Sequence, residues 1–272
     1  MIIRNFKKNP ILFVGIFLLS LLFFIAIFAP WISPFSPYAI SLEKELCLPN
    51  NIHLLGCDAN GIDILSSIFY GTRISLFIGV TTTLISLFIA FFLGSIAGYY
   101  GGKIDIVLMR ILDIIFAFPG ILLAIAIASL LKPSVQNLIF CLSITGWAGY
   151  TRLIRGEVRN IMTREYIESS HALGIGTWRI IIVHIWPNIL STVLVTASFG
   201  IAGCILAEAS LSFLGIGVPP GTPSWGALLS FGKDVIVEAP HVATFPGIAI
   251  LLTVLSFNFL GEGLRQWFDP KE

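Results

Sequence analysis

An all-α protein that crosses a membrane six times is the architecture this sequence predicts, on three observations. Hydrophobic residues make up 56% of the chain and charged residues 11%, against roughly 25% charged in an ordinary soluble domain. Six apolar runs, each near the roughly 20 residues that a helical span needs, use up the 272 residues together with their connections. The basic residues, finally, fall unevenly across those connections. No stretch is left over for a separate soluble domain, and no basic stripe is long enough to meet a nucleic acid.

The first run, Ile11 to Ala29, is uncharged and follows Arg4, Lys7 and Lys8. That order also fits a signal peptide, but the apolar core of one is usually about 7–15 residues. Pro30-Trp31-Ile32-Ser33-Pro34 is moreover a poor cleavage site. Residues 1–33 therefore read as an N-terminal tail and an uncleaved first span. Residues 34–72 are mixed and polar, with Pro34, Pro37 and Pro49, and read as an external loop. Cys47 and Cys57 both lie there, open to two readings: a disulfide if the loop faces an oxidising compartment, or two free thiols.

The remaining spans lie within residues 73–262. Ile74 to Gly102 carries one charge-free span. Ile106 to Leu131 is a third, interrupted by Arg110 and Asp113 and containing Phe118-Pro119-Gly120. Pro133 to Thr151 is a fourth, ending in Arg152, Arg155 and Arg159. Ile189 to Leu214 is a fifth. A Gly/Pro-rich external loop with a short helix near Trp225–Phe231 precedes the sixth, Val242 to Leu260, and residues 263–272 form a tail. With both termini in the cytoplasm, twelve of the 16 Lys and Arg residues face inward; only Lys44, Arg73, Lys132 and Lys233 face outward. This satisfies the positive-inside rule.

The longest piece with work to do in water is the connection 160–188. Read as a helix, Tyr166, Ser169, Ser170 and Leu173 fall at i, i+3, i+4 and i+7 and share a face, where two small residues make a notch for a neighbouring backbone. Gly174 suits a left-handed C-cap, Gly176-Thr177 a turn and new N-cap, and Pro187 the first turn of the next span. Helix, sharp bend, second short helix and span is the expected order. The alternative is an amphipathic loop without a partner.

Glu168-Ser169-Ser170, Gly174 and His184-Ile185-Trp186-Pro187 resemble the EAA loop of ABC-importer membrane subunits. More narrowly, the chain resembles the inner-membrane permeases for dipeptides, oligopeptides, nickel and glutathione, the C-type permease of peptide importers. The likeness runs from Asn9-Pro10 and Phe28-Ala29-Pro30 through His53 to Asp63 and on to Phe257-Asn258-Phe259-Leu260-Gly261-Glu262-Gly263-Leu264-Arg265. Serines stand where the family usually has alanines in the loop, and Trp186 where it has leucine. In the external segment Leu54 replaces proline, Cys57 threonine and Ile62 arginine, so no role of that arginine carries over.

The resemblance implies the type I ABC importer transmembrane fold with a cytoplasmic coupling helix, in a multi-pass subunit of the bacterial inner membrane. It implies as partners a second permease subunit forming a heterodimer, two ATPase subunits and an external substrate-binding protein, besides membrane lipid. The ATPase-coupling residues would be Glu165, Tyr166, Glu168, Ser169, Ser170, Ala172, Leu173, Gly174, His184 and Pro187. The cargo would be di- or oligopeptides, or else nickel or glutathione. A secondary transporter driven by an ion gradient is the rival of another class, although the inverted repeats and matched midplane acids of such proteins are absent from the sequence. A membrane anchor would not need the notched helix.

Ionisable residues inside spans are functional candidates by default. Glu208 lines the translocation path or bonds to serines and backbone of a neighbouring helix; Asp113 lines the path or pairs with Arg110 at i, i+3. Trp225 is a docking point for the binding protein or an interfacial anchor. Gly94, Ser95, Ala97, Gly98, Gly200, Ala202 and Gly203 suit close helix packing. No phosphate-binding G-x-x-x-x-G-K-[ST] run occurs, so ATP is not expected to bind here; the resemblance implies that ATP and Mg belong to the partner subunits, with no cofactor and no catalytic residue on this chain. His53, His171, His184 and His241 stand apart, giving no metal site.

Overall fold

The computed structural model describes residues 9–268, and the regular structure within them is helical throughout. The helices are α1 (Pro10–Ile32), α2 (Ile64–Tyr100), α3 (Gly102–Phe116), α4 (Gly120–Leu130) and α5 (Val135–Met162). They continue with α6 (Glu165–Ala172), α7 (Thr177–Phe213), α8 (Trp225–Asp234) and α9 (His241–Phe268). Arg4, Lys7, Lys8 and Lys271, used above to orient the chain, lie outside the described residues.

Four of these helices, α1, α2, α7 and α9, are long and apolar enough to cross a membrane, and five crossings result if α3 and α4 form one span. The third run, Ile106 to Leu131, forms two helices, α3 and α4, that meet at an angle of 82°. Pro119 explains the break, since it has no N–H to give and disfavours helical backbone at Phe118. Its own φ and ψ of −57° and 124° leave the helical region. The fourth run forms a 28-residue helix, α5, that continues well past Thr151 and carries its three arginines in regular helix.

Helix α2 begins at Ile64, earlier than the apolar run, because Asp63 caps it: Oδ2 accepts from the backbone N–H of Ser66 at 2.8 Å. It then runs parallel to α5, and glycine sets their separation. A Cβ on Gly98 would stand 2.7 Å from Cβ of Val158 and 2.9 Å from the carbonyl oxygen of Arg155; one on Gly94 would meet the carbonyl of Thr151 at 2.9 Å. Small residues allow this approach between spans. Gly203, expected to pack likewise, has open space beside it. Helix α1 crosses α9 through Gly15 and Gly263, each against the other helix's backbone.

Two rungs of charge fasten α3 to α5. Arg155 donates through Nε to Oδ1 of Asp105 at 2.7 Å and through Nη2 to Oδ2, and Arg159 reaches the same Oδ2 at 3.3 Å. Arg152 Nη2 reaches Oδ1 of Asp113 at 2.7 Å. The expected Arg110–Asp113 pair is therefore corrected: a residue from the next helix outcompetes the intrahelical neighbour, and Arg110 is exposed.

Candidate functional site

The connection 160–188 folds as a short helix standing off the bundle. Glu165 and Glu168 in the first turn of α6 complement its dipole. Gly174 ends it with φ +73°. The N–H of Ile175 bonds the carbonyl of Ser170 at 3.1 Å and that of Gly174 bonds His171 at 2.9 Å, the paired closure that a left-handed C-cap makes. Around Gly174 the space is open, so its glycine is required by backbone conformation and not by crowding.

The expected four-residue face is split by the structure. Ser170 and Ile167 turn inward; Ile167 is 0% exposed, packed with Ile154 and Val158 of α5 and with Ile180, Ile181 and Ile185 of α7. Tyr166 at 44% exposed, Ser169, Ala172 and Leu173 at 80% exposed face outward. Eight residues make barely two turns, and one isoleucine cannot be buried without carrying Ser170, three positions on, to the same side. Both serines bond back to the helix backbone, Ser169 Oγ to the carbonyl of Glu165 at 2.9 Å and Ser170 Oγ to that of Tyr166 at 2.7 Å. They therefore keep the surface small without presenting a free donor.

After the cap the chain enters α7 directly. Gly176 is the N-cap position and Thr177 begins the helix. The expected separate short helix and span are one 37-residue helix, Thr177–Phe213. Its first part is wound wider: Ile180–Ile185 form a π-helical segment, and the N–H of Trp186 bonds the carbonyl of Ile181. Widening of this kind accommodates the missing N–H of Pro187, which sits two residues beyond the segment. His184 is half-buried within it.

Two side chains the sequence reading left without a role tie this region to α2. Tyr99 donates its hydroxyl to Oγ1 of Thr177 at 3.2 Å and lies 3.5 Å from Nε2 of His171. Trp186 donates through Nε1 to Ser95 Oγ at 2.9 Å and meets the rings of Phe91 and Phe92 edge-on. An indole in place of leucine was legible as an anomaly; its partner, 91 residues away, was not.

At the far end of α7, Glu208 is 0% exposed. Its Oε2 accepts from Ser75 Oγ at 3.1 Å, its Oε1 from Ser212 Oγ at 2.8 Å. Ser75 Oγ in turn accepts from the N–H of Trp225 at 3.4 Å. Trp225 is itself 0% exposed, its Nε1 donating to the carbonyl of Ile68 at 3.2 Å. An indole so enclosed holds α8 onto α2 and offers no side-chain surface. Asp113, by contrast, is exposed and paired with Arg152.

A helical membrane protein with a short polar helix projecting from its spans, firmly seated behind and bare in front, is built as a permease subunit driven by a partner. The comparisons agree. Residues 90–272 match the family described as binding-protein-dependent transport system inner membrane component, and residues 1–49 match the N-terminal TM domain of oligopeptide transport permease C. The chain belongs to this family of binding-protein-dependent inner-membrane transport components. It is similar to the glutathione transport system permease protein GsiD of Pectobacterium atrosepticum, 41% identical over 98% of this chain and 89% of that protein. It is also similar to the dipeptide transport system permease proteins DppC of Haemophilus influenzae (40%; 98% and 92% covered) and Bacillus subtilis (37%; 98% and 84% covered).

The chain is thus a multi-pass inner-membrane permease of an ABC importer, working with ATPase and substrate-binding partners, and it is not itself an enzyme. Family membership sets the secondary-transporter reading aside.

Proposed function

We propose that this chain forms half of the translocation path of an ATP-driven importer of di- and oligopeptides, opposite a second permease subunit and above two ATPases. The observation that carries the reading is the seating of α6. Ile167 is locked into the core of α5 and α7 while Tyr166, Ser169, Ala172 and Leu173 stand free on the other side. A partner ATPase that grips the free face moves α5 and α7 with it, because the buried face cannot slip. Glu165, Glu168, Gly174, His184 and Pro187 serve the same joint as dipole partners, cap and helix-entry residues.

In this reading α5 and the α3–α4 pair complete six spans, with both termini, the connection 160–188 and the tail 263–272 in the cytoplasm and 34–72 outside. Residues 73–262 form the transport domain. Nucleotide and Mg are held by the ATPases. Glu208 works as an internal strut for the outer end of α7, with any part in the path exerted through helix position, and Trp225 anchors the α8 region on which the binding protein docks. Glutathione, itself a tripeptide, falls within the same cargo class, and a relative at 41% identity bears that name. Nickel remains the third cargo for comparison.

The test is purification in mild detergent with associated subunits, reconstitution into liposomes, and uptake of labelled dipeptide, glutathione and nickel. ATP-dependent uptake of a peptide that persists when ion gradients are collapsed is the expected result. Uptake that follows an ion gradient without ATP overturns the reading.

A further inference from the structure

Between α1 and α2, at the end where the loop joins them, lies a cleft of about 720 Å³. Phe23, Ala26 and Ile27 of α1 line one wall, and Ile74, Phe77 and Val80 of α2 the other. Phe23 and Phe77 are exposed along it. A cleft of this size, apolar along its length with a few polar groups in one place, has the form of a small-molecule site.

The charge and the two phenols gather at the loop end. Arg73 is the last charged residue before the charge-free run Ile74 to Gly102. It is exposed, and among the described residues it has no acid at ion-pair distance and no hydrogen-bond partner. Its guanidinium stands over the ring of Tyr70, 6.0 Å from the centroid. Tyr70 meets Tyr38 edge-on at 6.2 Å, and neither hydroxyl bonds to another described residue. No Asp or Glu lines the cleft. A guanidinium beside two phenols, facing no acid, is complementary to an anion.

The rim is held in place. Tyr38 is carried by a loop fastened to α2: the N–H of Phe35 donates to Ser66 Oγ at 3.1 Å, and that of Ser41 to the carbonyl of Asn60 at 3.0 Å. Cys47 and Cys57 in the same loop are joined in a disulfide, so of their two readings the cross-link is the one that forms.

We propose that this cleft binds one anionic phospholipid of the surrounding bilayer, its phosphate on Arg73 and the hydroxyls of Tyr38 and Tyr70, and an acyl chain between Phe23 and Phe77. Depth selects this occupant. The lining runs from Arg73 to Thr81 on α2, about 12 Å of helix at 1.5 Å per residue. That is close to one leaflet's share, about 15 Å, of a hydrocarbon layer about 30 Å thick. A helix of a partner subunit would continue through both leaflets, whereas the lining stops at Phe23 and Thr81. Tyrosines at the polar end also match the place such rings take at a membrane interface. The inference needs only α1 and α2 in a bilayer and is independent of the cargo.

The test uses the importer purified with its associated subunits and placed in phosphatidylcholine nanodiscs. A phosphatidylglycerol probe with a photoreactive diazirine in one acyl chain is added, and adducts are mapped by mass spectrometry after irradiation. Adducts should concentrate on residues 23–27 and 77–81, and a phosphatidylcholine probe with the same chain should label them about fivefold less. Arg73→Gln should lower the phosphatidylglycerol adducts by about fivefold, and Arg73→Lys, which keeps the charge, should retain most of them. Equal labelling by the two probes, or labelling unchanged in Arg73→Gln, overturns the site. Displacement of the probe by dipeptide overturns it too, by assigning the anion to the cargo. Absence of adducts from the assembled importer likewise overturns it, and their appearance in the chain purified alone then assigns the cleft to the second permease subunit. Should Arg73→Gln fail to assemble, competition in the wild-type importer decides: displacement by unlabelled phosphatidylglycerol but not by phosphatidylcholine supports the site, and equal displacement refutes it. No uptake is measured, so the outcome is separate from that of the import test.

Discussion

Tyr99, near the C-terminal end of α2, holds Thr177, the first residue of α7, by a hydroxyl contact of 3.2 Å across 78 residues of sequence. The same hydroxyl lies 3.5 Å from Nε2 of His171 on α6. One side chain thus bridges the projecting helix, the helix it feeds and a neighbouring span, at the corner where the chain turns. The joint is therefore braced from α2 as well as from the isoleucine core behind it.

Removing the brace without removing the ring is the sharpest probe of it. Tyr99→Phe keeps the packing on Tyr100 and His171 and deletes the hydroxyl. A neutral hydrogen bond is worth about 1 kcal/mol net, so peptide uptake per ATP hydrolysed should fall by about fivefold while membrane insertion stays normal. Parallel measurement of uptake and ATPase rate in proteoliposomes checks this. An unchanged ratio would show the brace to be idle.

Gly174 separates backbone demand from steric demand. Its φ of +73° excludes β-branched residues, yet nothing lies within 4 Å of a Cβ placed there. Gly174→Asn, which tolerates the left-handed region, should retain most uptake; Gly174→Val should lose at least about fivefold through a strain of about 1–2 kcal/mol in the cap. Both variants should insert equally. Equal activity of the two would mean that the cap plays no part in coupling.

Glu208 offers a choice between strut and path. As a strut it needs acceptors for Ser75 and Ser212, which an amide oxygen partly supplies. Glu208→Gln should then transport near normally, whereas Glu208→Ala strands two buried hydroxyls at about 1–3 kcal/mol each and lowers the yield of folded protein. A Gln variant that folds fully but does not transport would instead place the carboxylate on the path.

The loop before α2 should respond to pH through Asp58. Burial raises the pKa of its carboxyl, against the lowering effect of the N–H groups of Ile62 and Asn60 that it accepts at 2.9 and 2.8 Å. A folded-state value above the unfolded 3.8 means that proton uptake favours the folded loop. The stabilisation is complete below 3.8 and is lost as pH rises through the raised value. Limited proteolysis of the loop should accordingly speed up across that interval, and Asp58→Asn, which keeps the acceptor oxygen, should flatten the profile.

Much of this joint was legible in the sequence because its determinants are local. A glycine four residues after Ser169-Ser170 announces the cap at Gly174, and the helix Glu165–Ala172 follows from the same pattern. What escaped was decided between helices. Which side of α6 faces the bundle depends on Ile167 finding room beside Ile154, and periodicity alone cannot say which of two apolar edges is buried. The partners of Asp113 and Trp186, and the whole of the Asp105 pairing, lie on other elements. Arg152, Arg155 and Arg159, at spacings of three and four, share one helix face, a signal that could have pointed to acids on a neighbouring element. The break at Pro119 was visible as a residue type, but its angle was set by packing.

Helices α2 and α7 each run 37 residues, about 56 Å at 1.5 Å per residue, against a hydrocarbon layer of about 30 Å. Roughly half of each rod therefore lies outside the oil or is taken up by tilt. Such a surplus lets the protein slide or lean in thicker and thinner bilayers without exposing polar backbone. Its activity should accordingly vary little with lipid chain length, where a permease of close-fitting spans would be sensitive to it.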